Sequence, residues 1–140
     1  FVVRGDSDIN SEADLAGKNV EVQTDSSAEE ALNDNSELTS TFGSLKPVAD
    51  YNTAFMDLES GAVDAIAMDD VVASYQITSR KADFKVLDDV IAAEEYVIGF
   101  KKGNTGLRDK VQATLEEMAA DGTAAKIADK WFGKDIKTIQ

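Results

Sequence analysis

The residues of this 140-residue chain best suited to chemistry gather in two places, Thr24-Asp25-Ser26-Ser27 and Asp69-Asp70. The first run follows a short alternating stretch, residues 19–23, in which Val20 and Val22 share one face and predict a strand. Ser26 stands three residues ahead of Glu29, the spacing of a capping box that opens a helix. A strand that feeds straight into a capped helix leaves backbone N–H groups pointing out of the turn. With the helix dipole behind them, such groups hold a carboxylate or a phosphate. The hydroxyls of Thr24, Ser26 and Ser27 are further donors. An ordinary corner whose serines only cap the helix is the alternative, and these residues alone leave it open. Asp69 and Asp70 offer the opposite chemistry, a carboxylate for a cation. Helix capping with solvation is the alternative for both and the preferred reading for Asp70.

The elements around these residues must bring them together. Residues 45–49 predict a second strand, which Pro47 marks as an edge or an entry. Asn52 or Thr53 then caps a helix with Ala54, Phe55 and Leu58 on one face, and Gly61 stops it. Residues 63–67 form a third strand, apolar enough to be central, followed by a helix through Val71, Val72, Tyr75 and Ile77. Strand, helix, strand, helix, strand argues for an α/β fold with a parallel or mixed sheet flanked by helices. Open sheets of this kind bind ligands at the carboxyl ends of their strands. The Thr24–Ser27 turn and the Asp69 turn then lie at one edge. An anion acceptor beside a cation acceptor suits an α-amino acid.

Composition removes most other chemistries. Hydrophobic residues make up 43% and charged residues 29%, the balance of an ordinary globular protein of one domain's length. Fourteen Lys and Arg against 27 Asp and Glu leave a net charge of −13, which repels nucleic-acid backbones. Cysteine and histidine are absent, so disulfides, thiol nucleophiles, zinc sites and the usual general base are missing. No cofactor or metal is called for. No apolar run is long enough to cross a bilayer, and neither a signal peptide nor a lipidation motif is visible. The chain opens at Phe1 without a Met, so a processed or cut-down form is expected. A carboxylate-based hydrolase or transferase using Asp69 with Asp70 or Asp25 is the enzymatic alternative, and it has no nucleophile elbow and no metal cluster to support it.

Other motifs weigh less. Arg4-Gly5-Asp6 is the tripeptide that integrins recognise, but a turn after the strand at residues 1–4 explains it. Asp6, Asp8, Asn10 and Glu12 resemble a calcium loop until Ser11 falls where the sharp-turn glycine belongs and Gly17 where the bidentate glutamate belongs. Residues 14–18 read as one helical turn closed by Gly17, and residues 33–44 carry no period. Residues 84–87 and 96–100 predict two more strands, and residues 101–104 turn the chain. Thr105 can cap a helix with Leu107, Val111, Leu115 and Met118 on one side. Asp121-Gly122 breaks it, and Thr123 can cap a last helix carrying Ile127 and Trp131. Both stripes read as core-facing.

Taken in order, these pieces resemble the extracytoplasmic solute-binding proteins of amino-acid ABC transporters, in the polar amino-acid family with the type II periplasmic-binding-protein fold. The matching runs are Asp14-Leu15-Ala16-Gly17-Lys18, Ser26-Ser27-Ala28-Glu29, Leu58-Glu59-Ser60-Gly61-Ala62-Val63-Asp64-Ala65 and Met68-Asp69. Residues 96–102, Met118-Ala119-Ala120-Asp121-Gly122-Thr123 and Lys130-Trp131-Phe132-Gly133 complete the set. The resemblance implies a non-enzymatic protein that clamps a free amino acid, of polar type, between two hinged lobes and delivers it to permease subunits. It implies an extracytoplasmic setting, in the periplasm or at the cell surface as a lipoprotein. Residues 1–4 would be one hinge strand, 5–95 the second ligand-binding lobe, 96–102 the other hinge strand, and 103–140 helices that pack on the first lobe. A sensory or interaction domain of the same fold is the alternative.

Carried over by residue, Ser26 and Ser27 take the ligand carboxylate with Thr24 and Asp25 beside them, and Asp69 takes the ammonium. Asp64 matches a family position but reads as structural. Asp25 departs from the glycine frequent in relatives. A carboxylate there weakens an anion pocket or favours a cationic side chain. The first lobe, with its carboxylate-pairing arginine and aromatic residues, has no counterpart here, so weak affinity is expected. The C-terminal helices would then fold back or bury themselves in a homodimer, by simple pairing or domain swapping.

Overall fold

In the computed structural model, residues 1–133 are described. The chain forms two units, Phe1–Ala93 and Glu94–Gln140. The first is built on five strands: β1 (Val2–Arg4), β2 (Asn19–Gln23), β3 (Ser44–Val48), β4 (Ala65–Ala67) and β5 (Phe84–Val86). Their order across the sheet is β3-β2-β4-β1-β5. β2 pairs in parallel with both β3 and β4, while β1 runs antiparallel to β4 and β5. The sheet is therefore mixed, with β4 near its middle and the Pro47-bearing β3 at an edge, where a missing N–H is tolerated.

Period-2 alternation sends the strands' side chains into two cores. Val3, Val20, Val22, Ala65 and Ala67 pack with Leu15, with Ala28 and Leu32 of α1 (Ser27–Asp34), and with Leu38 of the short α2 (Ser36–Thr39). Val2, Val48, Ile66 and Met68 pack on the other face against α3 (Tyr51–Ser60) and α4 (Asp70–Arg80), through Ala54, Phe55, Leu58 and Ala73. Burial of side chains the size of Phe55 and Leu58 stabilises a fold by about 1.5–3 kcal/mol each. Glu21 breaks the apolar pattern on the α3 face. It is fully buried, and its Oε1 accepts from Lys46 Nζ at 2.8 Å across the β2–β3 register. The hydrogen bond and charge of Glu21 hold the Lys46 ammonium above its usual range.

Several caps differ from expectation. Asp50, not Asn52 or Thr53, caps α3 by accepting from Thr53 N at 3.0 Å. α2 was not signalled, because Asn35 opens it without an apolar stripe around it. In α4 the buried residues are Ala73 and Ser74, whereas Val72 and Tyr75 are exposed. Arg4-Gly5-Asp6 is no presented loop, since the Arg4 guanidinium donates to Leu58 O and Val63 O behind α3. The acidic loop after β1 is closed by lysine. Lys85 Nζ donates to Ser7 O and Asn10 Oδ1, and Asp14 Oδ2 accepts from Asn10 N and Ser11 N. The structural reading of Asp64 holds: its carboxylate accepts from Asn19 N at 2.9 Å and fixes the start of β2.

The second unit differs more. Residues 96–100 form no paired strand, because no other strand bonds to them among the described residues. Tyr96, Val97 and Ile98 are exposed there. α5 (Thr105–Ala120) starts after Asn104 rather than at a Thr105 cap. α6 (Thr123–Phe132) starts after Gly122, whose φ of 78° makes the turn. Asp121 rather than Thr123 supplies the side-chain bond there, accepting from Thr123 N. α5 has no buried residue, Val111, Leu115 and Met118 are partly covered, and Leu107, Ile127 and Trp131 are half exposed, so the expected core-facing stripes are only partly buried. Residues 134–140, the end of the C-terminal segment, lie outside the described residues. No helix among the described residues is long and apolar enough to cross a membrane.

Candidate functional site

The β2–α1 corner is held from three sides. Thr24 N donates to Val48 O at 2.9 Å, tying the end of β2 to β3. Ser26 caps α1: its Oγ accepts from Glu29 N at 3.1 Å and donates to Gln23 O at 2.7 Å. The expected capping box is shifted by one residue, because Glu29 Oε2 accepts from Asp25 N at 2.7 Å instead of from Ser26 N. That shift follows from Asp25, whose φ of 58° is left-handed and turns its N–H back toward the helix. Left-handed backbone is strained for residues with a Cβ, and aspartate tolerates it better than most.

These bonds divide the corner's donors into used and available ones. The Ser26 hydroxyl hydrogen is committed to Gln23 O and the Asp25 amide to Glu29. The amides of Ser26, Ser27 and Ala28 have no acceptor among the described residues. Thr24 and Ser27 are exposed side chains at the same corner. What the corner offers is an amide cluster at the positive end of α1, fronted by two hydroxyls.

Asp69 lies at the matching place on β4. Val22 and Ala67 are in register, so Thr24 and Asp69, each two residues further on, stand level at the carboxyl edge. Parallel neighbours run about 4.8 Å apart. The half-buried Asp69 caps α4, its Oδ1 accepting from Val72 N at 2.9 Å. Here the expectation that Asp70 would cap is corrected, since Asp70 is the first residue of the helix and Asp69 precedes it. A carboxylate has about four lone-pair sites, so capping by one oxygen is compatible with accepting from a cation.

The structure thus brings Thr24, Asp25, Ser26, Ser27 and Asp69 to one edge, with Asp50 after β3 beside them. Asp50 is hard to single out in the sequence because Asn52 and Thr53 are equally good candidates for the same cap. Its spacing of three residues before Thr53 was the available signal.

Comparison with known proteins shows the family of the chain. Residues 1–134 match the model of the bacterial extracellular solute-binding proteins, family 3. The L-cystine-binding protein TcyJ of Escherichia coli is 30% identical over 123 residues, which cover 88% of this chain and 45% of that protein. The L-cystine-binding protein TcyA of Bacillus subtilis is 30% identical over 135 residues, covering 95% and 48%. A substrate-binding protein of a polar amino acid ABC uptake transporter from Streptococcus thermophilus superposes with a TM-score of 0.81 at 28% identity, covering 98% of this chain and 54% of that one. The chain spans about half the length of the relatives it matches. These relatives are binding proteins, not enzymes, and the hydrolase reading of Asp69 with Asp70 or Asp25 falls away. The chain belongs to the bacterial extracellular solute-binding proteins, family 3.

Proposed function

We propose that this chain is the second, amino-acid-binding lobe of an ABC-transporter substrate-binding protein and that it holds a polar amino acid by its α-carboxylate and α-ammonium. One observation supports the reading: β2 and β4 pair in parallel with Val22 opposite Ala67, so the Thr24–Ser27 turn and Asp69 follow their strands at the same edge of the sheet. The carboxylate meets the amides of Ser26 and Ser27 and the hydroxyls of Thr24 and Ser27, where the helix end supplies N–H groups and partial positive charge. Asp69 meets the ammonium. In the whole protein residues 1–4 and 96–102 act as the hinge segments, α5 and α6 cover the other lobe, and permease subunits receive the ligand at the extracytoplasmic face, with a lipid anchor as one means of retention. Where the other lobe is missing, the open apolar side of α5 and α6 pairs with a second copy.

Calorimetric titration of the chain with each of the twenty amino acids tests this, repeated on Asp69→Asn. The amide side chain keeps the α4 cap through its oxygen and removes the charge. Saturable heat from a polar amino acid, weakened about tenfold or more in the variant while its unfolding midpoint holds, is the expected result. Binding unchanged by Asp69→Asn removes the ammonium assignment. Silence from all twenty removes autonomous binding by this lobe.

A further inference from the structure

One stretch of the chain is apolar in its middle and oppositely charged at its two ends: Glu94-Glu95-Tyr96-Val97-Ile98-Gly99-Phe100-Lys101-Lys102. It opens the second unit, and the sheet order β3-β2-β4-β1-β5 does not include it. Its middle faces outward, with Tyr96 69%, Val97 85% and Ile98 59% exposed. A run of β-branched and aromatic residues favours strand pairing, and an exposed run of this kind is a template for another strand. Glu94, Glu95, Lys101 and Lys102 are exposed as well, and none takes part in an ion pair among the described residues.

The order of the charges selects the partner. In an antiparallel pair the numbers of facing residues have a constant sum. Two copies centred on Ile98 therefore set Glu94 on Lys102, Glu95 on Lys101, Tyr96 on Phe100 and Val97 on Gly99. Each of these pairs occurs twice about a twofold axis, and Ile98 meets Ile98 on the axis. Opposite charges and aromatic rings directly across a ladder stabilise it, and like charges destabilise it. A parallel pair in the same register sets Glu on Glu and Lys on Lys. A shift of one residue in the antiparallel pair sets Glu95 on Phe100 or Lys101 on Tyr96. Period-2 alternation in the centred register gathers Tyr96, Ile98 and Phe100 of both copies on one face. Gly99 has open space where a Cβ would lie, so a second backbone can approach there.

Net charge favours the same stretch. Phe1–Ala93 contains 19 acidic and six basic residues and repels a copy of itself, whereas Glu94–Gln140 contains eight of each. The balanced unit is the one that a second copy approaches without that repulsion. A two-stranded ribbon alone is marginal in water. The half-exposed Leu107, Ile127 and Trp131 of the same unit supply further apolar surface.

We propose that residues 94–102 form an antiparallel strand pair with the same residues of a second copy, an inference that rests on the pairing with a second copy given above and assigns it a segment and a register.

The test is sedimentation equilibrium of four samples: the wild type, Glu94→Lys with Glu95→Lys, Lys101→Glu with Lys102→Glu, and an equimolar mixture of the two variants. The wild type is expected to dimerise between about 5 μM and about 500 μM, and each variant to associate about tenfold or more weakly. Each variant alone sets like charges in all of its charge pairs. The mixture should regain the dimer, because every charge pair between the two variants is again of opposite sign, and misfolding of either variant could not produce that recovery. The first variant also lowers the net negative charge, so general repulsion alone would make it associate more tightly than the wild type. Variants that dimerise as the wild type does, or a mixture that stays as weak as its components, overturn the strand pair and leave pairing through the helices. A wild type that is monomeric throughout the range overturns both, and neither result touches the binding of an amino acid.

Discussion

The two units of this chain carry the same kind of sequence signal and meet different fates. In Phe1–Ala93, apolar residues at helical and strand spacing become core: Phe55 and Leu58 on α3 are fully buried against the sheet. In Glu94–Gln140, Leu107, Val111, Leu115 and Met118 recur with equally good helical spacing, yet α5 buries none of its residues. Leu107 remains 49% exposed and Trp131 50%. Periodicity fixes which face of a helix is apolar, but a face becomes core only where another element covers it. β2 and β4 give α1 and α3 such a surface. A two-helix hairpin gives each helix only the other.

The largest expected contrast is therefore between core truncations in the two units. Phe55→Ala should destabilise the chain by about 3–5 kcal/mol, through lost burial and the cavity it leaves beneath Phe84 and Arg80. Leu107→Ala should change stability by less than about 1 kcal/mol, as a half-exposed position does. Urea unfolding monitored by circular dichroism reads both. A loss at Leu107 that approaches the loss at Phe55 would mean that α5 is covered in solution, and the contrast between the units would collapse.

A smaller effect is expected at the one charged group inside the first unit's core. Glu21 is fully buried, its Oε2 has no hydrogen-bond partner among the described residues, and Lys46 is the group that neutralises it. Lys46→Met should lower the unfolding midpoint because it strands a buried carboxylate, while Glu21→Leu combined with Lys46→Met should recover most of the loss. A double-mutant cycle on thermal midpoints measures the coupling. The same pair sets an alkaline limit. Lys46 is held above its ordinary value of 10.5, so its contribution is whole below that pH and is lost as pH rises through the higher folded value.

The contrast also explains how far the sequence could be read. β2 was legible at its observed bounds because Val20 and Val22 alternate and a capping serine follows. That the Thr24 and Asp69 corners share one edge was legible because strand–helix–strand order makes β2, β3 and β4 run parallel. The use of individual polar groups was not. Ser26, Ser27, Asp69 and Asp70 look alike as letters, and only backbone geometry decides that Asp69 caps α4, that the Ser26 hydroxyl faces inward, and that Glu29 reaches Asp25. The strand expected at residues 96–100 failed for a different reason. β-propensity in Tyr96, Val97 and Ile98 is a tendency to pair, and pairing needs a partner strand.

Asp25→Gly sharpens the comparison at the site itself. The left-handed φ of 58° is unstrained for glycine, and its removal from aspartate should stabilise the first unit by a few tenths to about 1 kcal/mol. Glycine's greater freedom in the unfolded chain opposes the gain, so the net change should lie at the low end of that range. Thermal unfolding of the variant beside Asp25→Asn separates the two contributions, because asparagine removes the charge and retains the Cβ. Equal midpoints for glycine and asparagine would show that charge, not backbone strain, is what Asp25 brings to the corner.

The smallest effect compares one carboxylate from each unit. Asp14 is held below the usual carboxylate value of 3.8, first by the Asn10 amide and then by the hydroxyl and amide of Ser11. Asp121 is held below it by the hydroxyl and then the amide of Thr123, at the turn between α5 and α6. A group whose folded pKa is depressed adds stability above its unfolded value and loses it as pH falls through the folded value. Both contributions are therefore present at neutral pH and fade below about pH 3.8. Both side chains are exposed, so the energies are small, but the titrations are separately visible by carboxyl-carbon NMR. If the hairpin turn is as well formed as the loop after β1, Asp121 titrates below the ordinary range together with Asp14. If Asp121 titrates at 3.8 while Asp14 does not, the α5–α6 turn opens in solution and the second unit depends on a covering partner even for its local structure.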